Sequence, residues 1–595
     1  APGLYFNGDT NTGLYSPAAD QFAFTAGGVG IATFQSGILE AGGARFSSGG
    51  VTVGVITATS LEASTSMTIG GANVLTDAAP QIQLVASGTI PANKPVVIRN
   101  DNKVGVVTGT NFGFGDKNAF GTSSNTWASI AWDTANSRVV VVWRDGTGAG
   151  KCKVGTVTGT SISWGSSVDF TSNNPYWPRV IFNSNTGKVV IVYSDASDSN
   201  KAKCVIGTVS GTSISFGSIV NLESSGSNSA YAQFALFNVG TTNKFIVAYR
   251  SEGDSDVVVG SISGTTPSFG TAGEVTGGNW SFVDGAWDAS SETGVIIFYN
   301  SGGQLQSKCV SVSGTSLDRT GDMVQITNGN TQQAYPTVQY DPVNKKIMIA
   351  WMSQAETTSP ERGLMIATGI AFNVGGGTKR ALRVQSVRLI EDIDGEYLSS
   401  TFDTVNNEMI LAYRGASYQA ARYFRAKIIS GDIDDPTSSL GIGNTFGGYE
   451  RVAVTTPVGF AGSYPMAYYS SMAFDPTGKK VFVGFPYYYE SGQASAVTGA
   501  VWVANIADSN LTSENFLGFS KASYTDGQTA TISLSGAVNT SQVGLSTTKN
   551  YYVLPDASLT NSPSVSGQFF NDPEGKYGYI SAGIALSATS LLIKT

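Results

Sequence analysis

The stretch ASIAWDTANSRVVVVWRD, residues 128–145, decides the fold. A short segment ends in an aromatic followed by an acid, Trp132-Asp133, and after a turn the run Arg138-Val-Val-Val-Val-Trp143 closes in a second aromatic. Working outward, the pattern returns at Phe182-Asn183 to Tyr193, Phe237-Asn238 to Tyr249, Trp287-Asp288 to Tyr299, Tyr340-Asp341 to Trp351, Phe402-Asp403 to Tyr413 and Phe474-Asp475 to Phe485. In each of the seven copies the turn Asp or Asn stands 10 or 11 residues before the closing aromatic, and the first five begin roughly 50 residues apart. A repeat of that length, made of strands, denotes a closed array of four-stranded blades, a β-propeller. Asp or Asn suits the turn because its side chain bonds the backbone two residues on. The Val-rich second strand is apolar on both faces, as a sheet stacked between two others requires.

Each repeat reads as an up-and-down meander. In the first, the strands around Ile130 and Val140 are followed by Lys153-Val-Gly-Thr-Val-Thr158, a hairpin at Gly159-Thr160, then Ile162-Ser-Trp164 and Val168-Asp-Phe170. The hairpin motif Gly-x-x-x-Gly-Thr recurs at Gly155–Thr160, Gly207–Thr212 and Gly260–Thr265, and in shorter form at Ser313-Gly314-Thr315. An extra copy, Gly105–Thr110, precedes the first inner strand, so residues 103 to about 120 are expected to complete the last blade and lock the ring. Seven blades follow; eight, with the first built partly from residues 81–100, is the alternative. Insertions at Gln354–Arg362, Gly375–Lys379, Asp432–Gly448 and Phe485–Ala496 mark loops where specificity commonly resides.

The composition agrees with an all-β chain. Of 595 residues 72 are Gly and only 13% are charged, which suits many tight turns and few amphipathic helices. A formal charge of −8 without any Lys/Arg-rich run argues against nucleic acid as a partner. No apolar stretch is long enough for a bilayer-spanning helix, so no membrane insertion is expected. Histidine is absent, which removes Ser-His-Asp and Cys-His catalysis and every His-containing metal site. The three cysteines, Cys152, Cys204 and Cys309, each follow Lys on a different blade; they read as buried small hydrophobes beyond disulfide reach.

Four regions emerge. Residues 1–80 hold sparse strands such as Gln21–Thr25 and Val51–Ile56, too short to enclose a core alone, so copies of the chain are expected to bury them together. Residues 81–120 join a C-terminal module and close the ring, residues 121–515 form the propeller, and residues 516–595 form a small β domain. The chain starts at Ala1 in mid-pattern, which leads us to expect preceding residues in a longer protein.

These residues resemble a family. Pro2-Gly-Leu-Tyr-Phe6, Gly8-Asp-Thr-Asn-Thr-Gly-Leu-Tyr-Ser-Pro17 and Asp20-Gln21 resemble the recurring shaft motif of bacteriophage tail fibres, of the marine and cyanobacterial phage type. Phe516–Phe519, Asp526-Gly527, Gly544-Leu545, Tyr551-Tyr-Val553 and Ala582–Ser587 are similar to the terminal module of the same class, as is the repeat Gly207–Gly217. The resemblance implies a homotrimer with an intertwined N-terminal shaft, located in the virion tail fibre outside the cell. It implies attachment to other tail or baseplate proteins at the N-terminal end and host attachment at the other, on a bacterial surface glycan or outer-membrane protein. It also implies that residues 81–102 and 516–595 form one domain interrupted by the propeller. No cofactor, metal or enzymatic activity is expected; a glycan-degrading depolymerase using two carboxylates is the alternative, which 43 acidic residues leave open.

The residues singled out for receptor contact are Tyr464, Tyr468, Tyr469, Tyr487, Tyr488 and Tyr489, because tyrosine faces stack on sugar rings and their hydroxyls bond. The competing reading is that Tyr468 and Tyr469 cap the core. Glu391-Asp392-Ile393-Asp394-Gly395-Glu396 reads as an exposed acidic turn rather than a calcium loop, since it lacks the loop's spacing. Trp177 and Trp280, near the starts of blades, read as packing between blades.

Overall fold

A computed structural model gives the fold. It describes residues 4–6, 9–15, 21–26, 29–35, 38–41, 44–47, 50–52, 68–69, 72–73, 80–121, 126–222, 234–251, 254–276, 278, 280–327, 335–354, 362–373, 380–391, 395–415, 421–432, 450–454, 458–461, 470–486, 499–512, 514–561 and 580–594. Two compact units result, residues 1–79 and 80–595.

Within the second unit the inner strands are Thr126–Asp133, Pro175–Asn183, Ala235–Asn238, Ser281–Asp288, Thr337–Asp341, Gly395–Asp403 and Ser471–Asp475, each opening a sheet of four or five antiparallel strands. They pack side by side in chain order, and Ser471–Asp475 returns against Thr126–Asp133. The protein is therefore a seven-bladed β-propeller. Blade seven has three consecutive strands of its own; its outermost strand is Gly113–Ala119, from ahead of blade one, paired with Ala500–Asn505. An eighth blade from residues 81–100 is not formed. Gln81–Val85 and Pro95–Ile98 pair instead with Thr529–Ser533 and Phe516–Ser520, and Val104–Val106 joins that sheet, so the closing strand is narrower than residues 103–120. A second C-terminal sheet is built from Val538–Asn539, Asn550–Val553, Leu559–Thr560, Ile580–Ala585 and Leu591–Ile593.

Why these residues make blades is visible in blade one. Val139, Val140, Val141 and Val142 are all fully buried. Val140 and Val142 pack into a cluster with Val189 and Ile191 of blade two, whereas Val139 and Val141 pack with Phe482 and Val501 of blade seven. The two-residue period of a strand thus sends alternate side chains to opposite neighbours, and each fully buried Val contributes about 1.5–3 kcal/mol. At the next turn Asp133 Oδ1 accepts from the Ala135 and Asn136 amides at 2.9 and 3.0 Å. Asp341 and Asp403 repeat the arrangement, so the turn acids are buried acceptors, not ligand-facing groups.

The repeated Gly-Thr hairpins have two separate demands. Gly211 sits at φ +62°, where a side chain is strained. Gly217 lies so close to blade three that an added Cβ would stand 2.1 Å from the Thr265 carbonyl oxygen. The motif therefore clasps one blade's outer edge to the next.

The first unit is a meander of seven antiparallel strands in chain order, Leu4–Phe6 through Gly50–Thr52, with a separate hairpin of Thr68–Ile69 and Ala72–Asn73. Ala23 is buried in it, while Phe24 is 40% exposed. Among the described residues the one helical element is a 3-10 turn, Ala196–Asp198, and no helix is long and apolar enough to cross a membrane.

Candidate functional site

The inner strands surround an axial channel with a cavity of ≈ 440 Å³, to which every blade contributes. Counting back four residues from each turn Asp or Asn gives Ser129, Arg179, Phe234, Asp284, Thr337, Ser399 and Ser471. Where that residue is small and hydroxylated it bonds toward the next blade. Ser471 Oγ accepts from the Ile130 amide at 3.1 Å, and Ser129 Oγ accepts from the Val180 amide at 3.2 Å. Thr337 Oγ1 lies 2.5 Å from Ser400 Oγ, and Ser399 Oγ donates to Ser470 Oγ at 2.8 Å. A collar of hydrogen bonds thereby ties the inner strands, compensating the polar groups that line the channel.

Blades two to four depart from the small hydroxyl, though blade four keeps the bond to the next blade's amide through a carboxylate. Phe234 is 1% exposed and offers no polar atom, and on either side of it stand Arg179 and Asp284. Asp284 Oδ2 accepts from the Val338 amide and from Thr337 Oγ1, both at 3.0 Å. Burial raises the Asp284 carboxyl above the ordinary carboxylate range; the Arg179 charge is the largest opposing influence, followed by these hydrogen bonds. Burial likewise lowers the Arg179 guanidinium, opposed by Asp284. The two groups line a common cavity from blades separated by one, both half-buried in the channel wall and each electrostatically opposing the other's shift.

Aromatic side chains occupy both ends of the inner strands. Trp287 and Tyr340, the aromatics of the repeat itself, are half-buried and line the cavity. Six residues before the turn stand Trp127, Trp177, Phe282, Tyr335, Tyr397 and Tyr469. Trp127, Trp177, Phe282 and Tyr397 all have φ between +49 and +58°, unusual for bulky side chains, and a register shift accompanies each. The kink turns them toward the neighbouring blade: the Trp127 and Trp177 ring centroids lie 5.0 Å apart, and Tyr335 lies 4.3 Å from Phe282 and 4.6 Å from Tyr397.

Tyr464, Tyr468, Tyr469, Tyr487, Tyr488 and Tyr489 lie outside the described residues, as do residues 355–361, 375–379, 433–448 and 487–496 of the insertions. The side chains of residues 391–396 are outside them too. Trp280 packs between blades three and four, 2% exposed and stacked on Phe298 at 4.2 Å. Trp177 packs against the apolar cluster shared by blades two and three. Cys152, Cys204 and Cys309 are buried and free; burial raises all three thiols, Cys309 to about 12. They are inert packing groups at neutral pH.

The chain matches no protein-family model and no curated protein sequence. Solved structures align with part of it at low identity. AofleA from Arthrobotrys oligospora is 12% identical over 58% of this chain and 93% of that chain, with a TM-score of 0.34; its triple Arg-to-Ala mutant gives 13% identity over the same shares and the same score. A protein from Lactobacillus plantarum is 10% identical over 57% of this chain and 94% of that chain, with a TM-score of 0.33. Likeness at this level carries no argument about function, and the propeller stands on its own seven sheets.

Arg179 and Asp284 were not singled out in the sequence. Aligning the seven copies backward from the turn exposes them, since small hydroxylated residues fill that position in four copies and a charge in two.

Proposed function

We propose that this chain is a virion structural protein, a trimeric bacteriophage tail fibre whose propeller attaches to a bacterial surface. The observation that carries this reading is the shaft motif of residues 2–21. Its strands Leu4–Phe6 and Asp9–Tyr15 open a single-layer meander. Among its described residues the strands of the meander form one layer, and a layer of short strands is stabilised by self-association. Three rings on one fibre then convert weak individual contacts into firm attachment through effective concentration.

Binding is favoured over glycan cleavage by the composition of the channel. Asp284 is the single carboxylate among its described lining residues, whereas glycoside hydrolysis ordinarily uses two facing acids. Sedimentation of the full chain is expected to give three times the 61.9 kDa chain mass, and the purified trimer is expected to adhere to intact bacteria of a susceptible strain. A fully folded monomer would overturn the shaft assignment; a trimer that adheres to no bacterial envelope would overturn attachment.

A further inference from the structure

We infer that the axial channel is a binding site for one neutral hexopyranose unit of a glycan, held by Arg179 and Asp284 and stacked on the channel aromatics. The inference rests on the attachment reading above and gives it a ligand class and a location.

Size comes first. A cavity of ≈ 440 Å³ falls in the range of roughly 300–1,000 Å³ in which small-ligand pockets are found. Its chemistry comes second. A wall needed only for packing is complete with Ser or Thr at the collar position, as blades one, five, six and seven show. Blades two and four instead place a guanidinium and a carboxylate there, flanking a buried Phe234; Asp284 keeps the collar's bond to the next blade's amide, a bond that a neutral hydroxyl makes in blades one and seven without a charge. Ionic groups cost free energy when taken from water, and replacement by a collar hydroxyl would avoid that cost. Their retention in a space open to a ligand points to recognition.

The class of ligand follows from the pair. Arg179 presents planar donors and no acceptor, while Asp284 presents acceptors. Together they suit two adjacent hydroxyls, one accepting from the guanidinium and the other donating to the carboxylate. Because each charge opposes the other, the wall has no uncompensated positive charge to draw an anionic sugar, and the chain as a whole carries −8. Gln339, on the next blade, extends the polar wall, and its Nε2 already donates to Ser400 Oγ at 3.0 Å. Trp287 and Tyr340 supply half-buried aromatic surface for the apolar face of the ring.

The test is titration of the full-length protein with methyl α-glucopyranoside, methyl α-mannopyranoside, methyl β-galactopyranoside and glucuronate, read by calorimetry and by displacement from bacteria. The expected result is saturable binding of at least one neutral glycoside at one site per chain, with glucuronate at least tenfold weaker. Arg179→Gln, which removes the guanidinium fork and its charge, and Asp284→Asn, which keeps the shape but puts an amide donor in place of an acceptor oxygen, are expected to weaken that binding at least tenfold while the variants retain the wild-type circular dichroism spectrum. A change in melting temperature with unaltered binding would make the pair a strut between blades and overturn the inference. So would preference for glucuronate, or adherence to bacteria that no neutral glycoside displaces; in that last case attachment itself stands. Failure of the wild-type trimer to adhere at all would instead fall on the attachment reading.

Discussion

Arg425→Ala is expected to destabilise the propeller by about 3–5 kcal/mol, the usual result of stripping one partner from a buried ion pair. Arg425 and Glu408 are each 1% exposed, with Arg425 Nη1 donating to Glu408 Oε2 at 2.9 Å. Burial already raises the Glu408 carboxyl above its ordinary range, with Arg425 the largest opposing influence and Asp403 adding to the rise. Without Arg425 it rises further. An acid whose folded pKa is raised subtracts stability as pH climbs past the unfolded value. The charge part of the penalty is therefore largest at neutral pH and fades as pH falls toward the unfolded Glu value of about 4.3. Denaturant titration at neutral and acidic pH reads this directly. The double variant Arg425→Met with Glu408→Leu is expected to recover most of the loss, because it leaves no charge stranded. Equal destabilisation at both pH values, with no recovery, would show that packing alone is at stake.

Phe112→Ala carries a comparable effect, about 3–5 kcal/mol, by the cavity left when a buried aromatic is removed. Phe112 is 2% exposed and stacks on Tyr423 at 5.1 Å, while the Arg425 guanidinium lies 5.0 Å from its ring centroid. It immediately precedes Gly113–Ala119, the strand that completes blade seven. The same side chain thus anchors the closing strand to blade six, and its loss is expected to raise hydrogen exchange across residues 113–119 and 500–505. Phe112→Leu retains most of the volume and loses only the ring contacts, about 0.5–1.5 kcal/mol. Unchanged exchange in the closing strand of Phe112→Ala would mean that the ring is locked elsewhere.

The fold was legible because its signals are local. An aromatic, a turn acid and a Val run at fixed spacing report one hairpin each, and seven hairpins with a spare outer strand imply closure. The extent of that outer strand was less legible: residues 103–120 look uniform, yet Val104–Val106 is drawn to the sheet of Phe516–Ser520 and Thr529–Ser533. That competition between distant strands leaves no trace in local pattern. The channel was hidden for another reason. Arg179 and Asp284 are 105 residues apart and ordinary in isolation, and only the ring brings them to a shared cavity. Reading each repeat forward from its turn acid, toward the closing aromatic, took Trp177 and Tyr469 singly and left the recurring aromatic six residues upstream unconnected. By sequence Trp127, Trp177, Phe282, Tyr335, Tyr397 and Tyr469 share that position.

Attachment through the ring can be tested by removing the ring cleanly. Gly109 and Thr110 pair with Ser509 and Asp508, so the chain enters and leaves the propeller at adjacent points, and residues 113–505 can be replaced by a short turn. Adherence to a susceptible bacterium, measured side by side for the full chain and this excised chain, is the decisive comparison. The account predicts that the excised chain sediments as a trimer and no longer adheres. Undiminished adherence without residues 113–505 would contradict it.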